Sequence, residues 1–561
     1  MSEASKKQTF LHGAALLAMA TAVVKLIGAF YKIPLKMIIG DQGYGYFTTA
    51  YDIYSVLLMI STAGLPIAMS RMISQANALG HHNQVRRVYK TSRAIFLGLG
   101  IASTLLMVLG CRALAGMLGQ PDAWAAILCL GPCALFMGIM SAYRGFFQGH
   151  ENMRPTSNSQ MLEAAIKLVV GLVLAFVLMR STNRVAFAAA GAILGVTFSC
   201  LASVIYLHSK FRPAYGELAQ SQTAPQTYSE TAKQLLAIAV PITIGSAGLQ
   251  LLTVVETGLY MDRLTDLLAQ GTYAQPLVQS IQQEILAADA TVTAAQLPTQ
   301  VAAYLKGIYN FSQTIFNMPC SFIIPITASV LPAVTSYLTL NNHKEVKGTE
   351  ESAARITGLI SLPCTVGLWI LAGPVMRLLG GYTGLKLALA EQIMALLGAS
   401  VFLYAVIQYT NMILQTHGYA HVPVINMLLA GVAKLAVVYV LVGNPAMGIL
   451  GAPVGTVLCY SCIAVMNLIA VAKLVPQKPR LLRNLLRPAL PAAVMGGVVY
   501  LVYRLLVQLM GAEGSRVILC GVPIAVGAAV YFVCVVLFKS ITAEDCRLLP
   551  KGDKIAKILK L

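Results

Sequence analysis

The run SQMLEAAIKLVVGLVLAFVLMR, residues 159–180, decides the fold. From Leu168 to Met179 no side chain is charged or polar. The apolar residues are continuous rather than alternating, which reads as a helix and not as a strand of a membrane barrel. A helix needs about 20 such residues to cross the hydrocarbon core. The two ionisable groups near its start, Glu163 and Lys167, are one helical turn apart on one face, where they can pair locally.

Working outward, runs of the same kind recur along the whole chain. The expected spans are 9–36, 45–72, 92–114, 123–146, 159–180, 185–208, 233–261, 303–335, 353–378, 387–411, 421–442, 448–472, 486–510 and 516–538. This predicts an all-α, polytopic integral membrane protein with about fourteen transmembrane helices. Composition agrees: charged residues make up 11% of the 561 residues, against roughly 25% in a soluble chain. Inside lipid the backbone must satisfy itself, which leaves only helices or a closed barrel.

The net charge of +19 does not point to nucleic acid. The basic residues cluster after every second expected helix: Arg86, Arg87, Lys90 and Arg93; Lys210 and Arg212; Lys344 and Lys347; Lys473, Lys478, Arg480, Arg483 and Arg487; then Arg547, Lys551, Lys554, Lys557 and Lys560 in the tail. Such asymmetry sets both termini of a multi-pass membrane protein in the cytoplasm. The N-terminal run carries on through Lys25, Lys32 and Lys36 without a small-residue cleavage motif, so it is an uncleaved first helix. The eleven cysteines are scattered through apolar runs, and Cys459 and Cys462 have no second pair, which suits packing rather than metal.

An internal repeat organises the chain. Leu65-Pro66 and Ser70 recur as Leu331-Pro332 and Ser336, Gln148 and His150 as Gln415 and His417, and Lys167 as Lys434. The offset is 266 at the first pair and 267 at the later ones. An even number of helices separates the halves, so the two six-helix lobes are parallel and pseudo-symmetric, a transporter arrangement. The expected divisions are 1–231 (first lobe), 232–475 (second lobe, with a polar external loop at 263–302 containing one short helix) and 476–561 (a helix pair and a basic tail).

No nucleotide-binding loop, HExxH or nucleophile elbow is present, so no enzyme is expected and no cofactor, apart from a coupling Na+ or H+. Ionisable groups inside spanning helices then carry the functional reading, because each is costly in lipid unless it faces a partner or a wet cavity. Those expected to line a substrate cavity are Lys25, Lys32, Asp52, Arg144, Glu163, Lys167 and Lys434. Glu256 is the candidate for ion coupling. Lys36, Asp262 and Arg263 are expected to reach for an interface. Arg504 is expected either at lipid or in a groove floor. A cationic cavity suits a phosphate or pyrophosphate group, held by charge-assisted hydrogen bonds.

The stretch Tyr143-Arg144-Gly145-Phe146-Phe147-Gln148-Gly149, then Met153-Arg154-Pro155-Thr156, Ser159-Gln160 and Glu163, carries a resemblance, joined by 40–54 and by Gly307-Ile308-Tyr309-Asn310 through Leu331-Pro332. It resembles the polysaccharide-biosynthesis and sporulation protein B branch of the multidrug/oligosaccharidyl-lipid/polysaccharide exporter superfamily, which includes the lipid II flippases. The resemblance implies two lobes of six helices plus a final pair. It also implies a flippase for an undecaprenyl-pyrophosphate-linked glycan, first of all the peptidoglycan precursor lipid II, working by alternating access in vegetative growth or sporulation. Membrane lipids and cell-wall synthesis proteins are the implied partners. Lys25 before Gly28 matches the family's cationic position in the first helix. Leu57 and Thr314 stand where the lipid II flippases carry cations, which points towards the sporulation branch. Three other readings stand beside it: a cation-coupled multidrug exporter, a flippase for teichoic or capsular polysaccharide precursors, and a non-transporting scaffold for cell-wall enzymes.

Overall fold

The computed structural model describes residues 3–59, 64–150, 152–216, 224–288, 292–476, 479–511, 514–542 and 545. The side chains of Lys25, Leu331, Pro332 and Ser336 lie outside what is described, as do Lys478 and the basic tail from Arg547 onward. The described residues contain no strand. They form α1 (Glu3–Met59), α2 (Leu65–Ala78), α3 (His82–Met117), α4 (Trp124–Gly149), α5 (Arg154–Thr182), α6 (Val185–Gly216), α7 (Tyr228–Ala269), α8 (Gln275–Ala288) and α9 (Leu297–Thr339). Then come α10 (His343–Ile370), α11 (Ala372–Gly380), α12 (Gly384–Thr416), α13 (His421–Val442), α14 (Gly451–Leu474), α15 (Leu481–Leu485), α16 (Ala489–Met510) and α17 (Arg516–Leu537). Ten helices among the described residues are long and apolar enough to cross a membrane. The protein is multi-pass.

The chain forms two compact units. One holds residues 1–272 and 278–307; the other holds 273–277 and 308–561. In the first, α5 packs along α6, α4 lies against α3 and α6, and α1 lies on α5. In the second, α13 packs along α14, α12 lies against α10 and α14, and α16 pairs with α17. The same packing is thus built twice. Lys167 stands thirteen residues after Arg154, the first residue of α5, and Lys434 stands thirteen after His421, the first of α13. The packing division differs from one drawn by counting helices, because α7 lies on α1, α2 and α3 and groups with them.

Local chemistry explains the breaks. The loop expected near residue 40 is a single residue: Gly40, at φ 67 and ψ −176, interrupts an otherwise continuous α1. That backbone region is essentially open only to glycine. The break sets Asp41 3.4 Å from Lys36, and both are buried. Lys36 therefore pairs within the protein instead of reaching for an interface. The polar stretch 263–302 is more helical than a loop: α7 runs on to Ala269, α8 fills its middle and α9 begins at Leu297. At the other end of α7, Thr227 and Glu230 form a reciprocal capping box. The Thr227 hydroxyl and backbone amide hold the Glu230 carboxyl below its usual range. Close approach of α5 and α6 rests on small residues: a Cβ on Gly195 would lie 2.3 Å from the Cα of Gly171.

Candidate functional site

The functional side chains of the first unit meet around one aromatic residue. Tyr51, on α1 beyond the Gly40 break, has two ammonium groups near its ring. The Nζ of Lys32 is 5.1 Å from the ring centroid and that of Lys167 is 5.8 Å. Lys32 reaches Tyr51 from α1 before the break, and Lys167 from the fourth turn of α5. Both distances suit cation–π attraction. Among the described residues neither lysine has a carboxylate within 4.0 Å. Lys167 is 8% exposed, while Lys32 and Tyr51 are half-buried, so the cluster is open on one side.

The charges next to this cluster are paired. Arg144 on α4 donates through Nη2 to Glu163 Oε2 at 3.2 Å and through Nε to the Ser159 hydroxyl at 3.0 Å. The Tyr54 hydroxyl donates to the other Glu163 oxygen at 3.2 Å. Glu163 is therefore turned to α4 and α1, and its ion-pair partner is Arg144 rather than Lys167 one turn along. Glu163 satisfied by Arg144 and Tyr54 is what leaves Lys167 free to face Tyr51.

Asp52, the next residue after Tyr51, binds a cation that the sequence reading missed. Lys306 on α9 is completely buried, with Nζ 2.6 Å from Thr49 Oγ1 and 3.5 Å from Asp52 Oδ2. Thr49 in turn donates to Gln120 Oε1 at 2.7 Å, and Thr257 on α7 donates to Asp52 Oδ2 at 3.4 Å. Three helices and the α3–α4 turn thus converge on one ion pair, with Lys306 buried and Asp52 partly so. Lys306 lies three residues inside the expected eighth span, 303–335. No sequence signal marks it; at Gly307 beside it, a Cβ would sit 1.9 Å from the Asp41 carbonyl oxygen. This close backbone approach draws Lys306 into the first unit.

Of the expected cavity residues, Lys32, Asp52, Arg144, Glu163 and Lys167 come together. Lys434 belongs to the other unit, half-buried on α13 beside Gly455 of α14. Glu256 is buried on α7, next to the Thr257 that contacts Asp52. Arg504 on α16 is exposed and bonds the Tyr500 hydroxyl at 2.9 Å. No group of three His, Cys, Asp or Glu gathers among the described residues.

The second unit adds an apolar groove of 790 Å³ between α9, α10, α16 and α17. Phe322, Ile360, Leu368, Val499, Ile524 and Phe532 are among its walls. It contains no ionisable side chain except the Cys364 thiol and the Tyr531 hydroxyl. The latter is spent on the Leu359 carbonyl at 2.8 Å.

Membrane-crossing helices packed into two like units, with ion pairs and two lysine ammonium groups set among the helices of one of them, form an arrangement of the kind that membrane transporters use. Residues 10–338 match the family described as polysaccharide biosynthesis protein, and residues 272–518 match that described as lipid II flippase MurJ. The chain belongs to the polysaccharide biosynthesis protein family. It is 24% identical over 547 residues to stage V sporulation protein B of Bacillus subtilis (strain 168), covering 97% of this chain and 98% of that protein. Its fold is similar to the inward closed conformation of lipid II flippase MurJ, at a TM-score of 0.66 and 13% identity, over 93% of this chain and 98% of that one. An inward-facing multidrug resistance MATE family transporter matches at a TM-score of 0.58 and 14% identity, over 82% of this chain and 99% of that one.

Proposed function

We propose that this protein moves an undecaprenyl-pyrophosphate-linked glycan, first of all lipid II, from the cytoplasmic to the outer leaflet of the bacterial cell membrane by alternating access. The observation that carries the reading is the pair Lys32 and Lys167, two ammonium groups at one tyrosine ring with, among the described residues, no carboxylate within 4.0 Å of either. A bare pyrophosphate cannot enter hydrocarbon, since transferring a charge to low dielectric costs tens of kcal/mol by a Born estimate. Two cations in a partly open cluster replace its water through charge-assisted hydrogen bonds. The apolar groove of the second unit suits a long prenyl chain, which needs no polar partner.

Similarity to the lipid II flippase family supports lipid II as cargo, and similarity to the sporulation protein supports a related precursor used during spore formation. Teichoic and capsular precursors share the pyrophosphate and fit the same cations. A drug exporter taking cationic cargo would meet repulsion from Lys32 and Lys167, and the matching MATE transporter leaves 18% of this chain uncovered. Glu256, beside the Asp52 network, is the residue we assign to coupling with Na+ or H+. In this reading both termini lie in the cytoplasm.

The test is complementation of a strain lacking its lipid II flippases, read as lipid II accessible to an enzyme that cannot enter the cell. The protein should restore that exposure. Correct insertion with no exposure would remove lipid II as the cargo. A scaffold that transports nothing would restore growth, if at all, without any dependence on Lys32 or Lys167.

A further inference from the structure

The first unit holds a second polar site that the cation cluster does not use. Its 320 Å³ pocket lies where the α3–α4 turn, the α5–α6 turn and the start of α9 gather. Arg86, Arg87 and Lys90 stand at the start of α3, and Lys210 and Arg212 near the close of α6. The pocket is at the far ends of these same helices, opposite the basic loops. The volume falls in the range of about 300–1,000 Å³ typical of small-molecule pockets.

Its lining has a specific chemistry. Gln42 donates to the Tyr46 hydroxyl at 3.0 Å and to Gln300 Oε1 at 3.1 Å, and Tyr46 donates to Asp122 Oδ2 at 3.2 Å. This chain fixes the orientation of each group. It leaves the Gln300 amide hydrogens as donors, and Gln42 Oε1 and Asp122 Oδ1 as acceptors. Arg184 and Phe187 also line the pocket, as does Trp124, whose ring has the Arg112 guanidinium 5.5 Å from its centroid. One acid and one base cancel, so the pocket does not select an anion as the Lys32 and Lys167 cluster does. Preset amide and carboxylate groups beside flat aromatic faces suit a neutral ligand dense in hydroxyl and amide groups.

We infer that this pocket is a carbohydrate site, which holds the N-acetylated sugar of the cargo on the side opposite the basic loops. The inference rests on the proposed flippase reading for its biological role, but the binding chemistry stands on the pocket alone. Cation cluster and sugar site would then act on different parts of one substrate, pyrophosphate and glycan.

The chain has two tryptophans, Trp124 in this pocket and Trp369 in the other unit, so W369F leaves a single reporter. The W369F protein in lipid nanodiscs is titrated with a soluble N-acetylglucosamine oligomer while Trp124 fluorescence is read. Equilibrium dialysis of the labelled oligomer provides a second measure. A saturable change is expected, weakened about tenfold by Q300A or D122A and unmoved by added pyrophosphate. No saturable binding in either measurement overturns the proposal, as does binding that Q300A and D122A leave unchanged. Lipid translocation by the same W369F protein separates the two readings. Translocation without oligomer binding sinks the sugar site and leaves the flippase. Binding without translocation upholds the sugar site and sinks the flippase.

Discussion

At the residue scale, two kinds of buried charge behave differently. Lys306 and Asp52 are mutually satisfied and completed by Thr49 and Thr257. Removing one partner strands the other in a desolvated position, at a cost of about 3–5 kcal/mol. Lys306→Met should therefore lower the thermal unfolding temperature in detergent sharply, and the double variant Lys306→Met with Asp52→Leu should recover most of the loss. An equally unstable double variant would show that the pair is not isolated. Lys32 and Lys167 make no such ion pair. Lys32→Gln or Lys167→Gln should keep the protein folded yet weaken binding of a pyrophosphate-bearing lipid by roughly tenfold or more, the worth of a charged hydrogen bond. The residues that the structure brings together here were legible in part, because an ionisable residue in an apolar run announces itself. Lys32, Asp52, Glu163 and Lys167 stood out that way, and Arg144 through the motif Tyr143-Arg144-Gly145. Their pairing was not legible: Glu163 has Lys167 one turn along its own helix but takes Arg144, a choice made by tertiary packing of α4 on α5. Lys306 was hidden because its burial comes from a long-range backbone approach at Gly307, which no local pattern displays.

At the element scale, single glycines set where helices bend and touch. Gly40 lets α1 break and resume, which brings Asp41 to Lys36 and carries Tyr51 towards Lys32. Gly40→Ala forces a side chain into a glycine-only region and should cost about 1–3 kcal/mol, read as a lower unfolding temperature. An unchanged temperature would mean that α1 can straighten without loss. The apolar runs announced the helices themselves. Their joints were less visible: the residues around 40 read as a loop, and 263–302 read as mostly loop with one short helix. In both places the helix continues because polar side chains, such as Gln42 and Gln300, find partners on neighbouring helices.

At the scale of the whole molecule, the repeat was legible from offsets of 266 and 267 residues, and the fold builds the same packing in each unit. The contact that holds Asp545 was not legible. Arg355 on α10 holds Asp545 with Nη2 to Oδ1 at 2.8 Å and Nε to both oxygens at 3.0 Å, and adds Asn484 at 3.1 Å. Asp545 is fully buried, so its carboxylate is committed to this contact. Asp545→Ala should leave Arg355 unpaired and destabilise by about 3–5 kcal/mol, measured by thermal unfolding of the purified protein. Full stability in that variant would show that other contacts anchor the segment after α17.

The central claim is that Lys32 and Lys167 carry the anionic group of a lipid-linked glycan across the membrane. The measurement that tests it most directly is translocation of fluorescent lipid II in proteoliposomes, comparing wild type with the Lys32→Gln/Lys167→Gln double variant at equal reconstituted protein. The account predicts that wild type exposes the lipid on the opposite leaflet and that the double variant, although folded, does so at least about tenfold more slowly. Equal rates for the two proteins would contradict it.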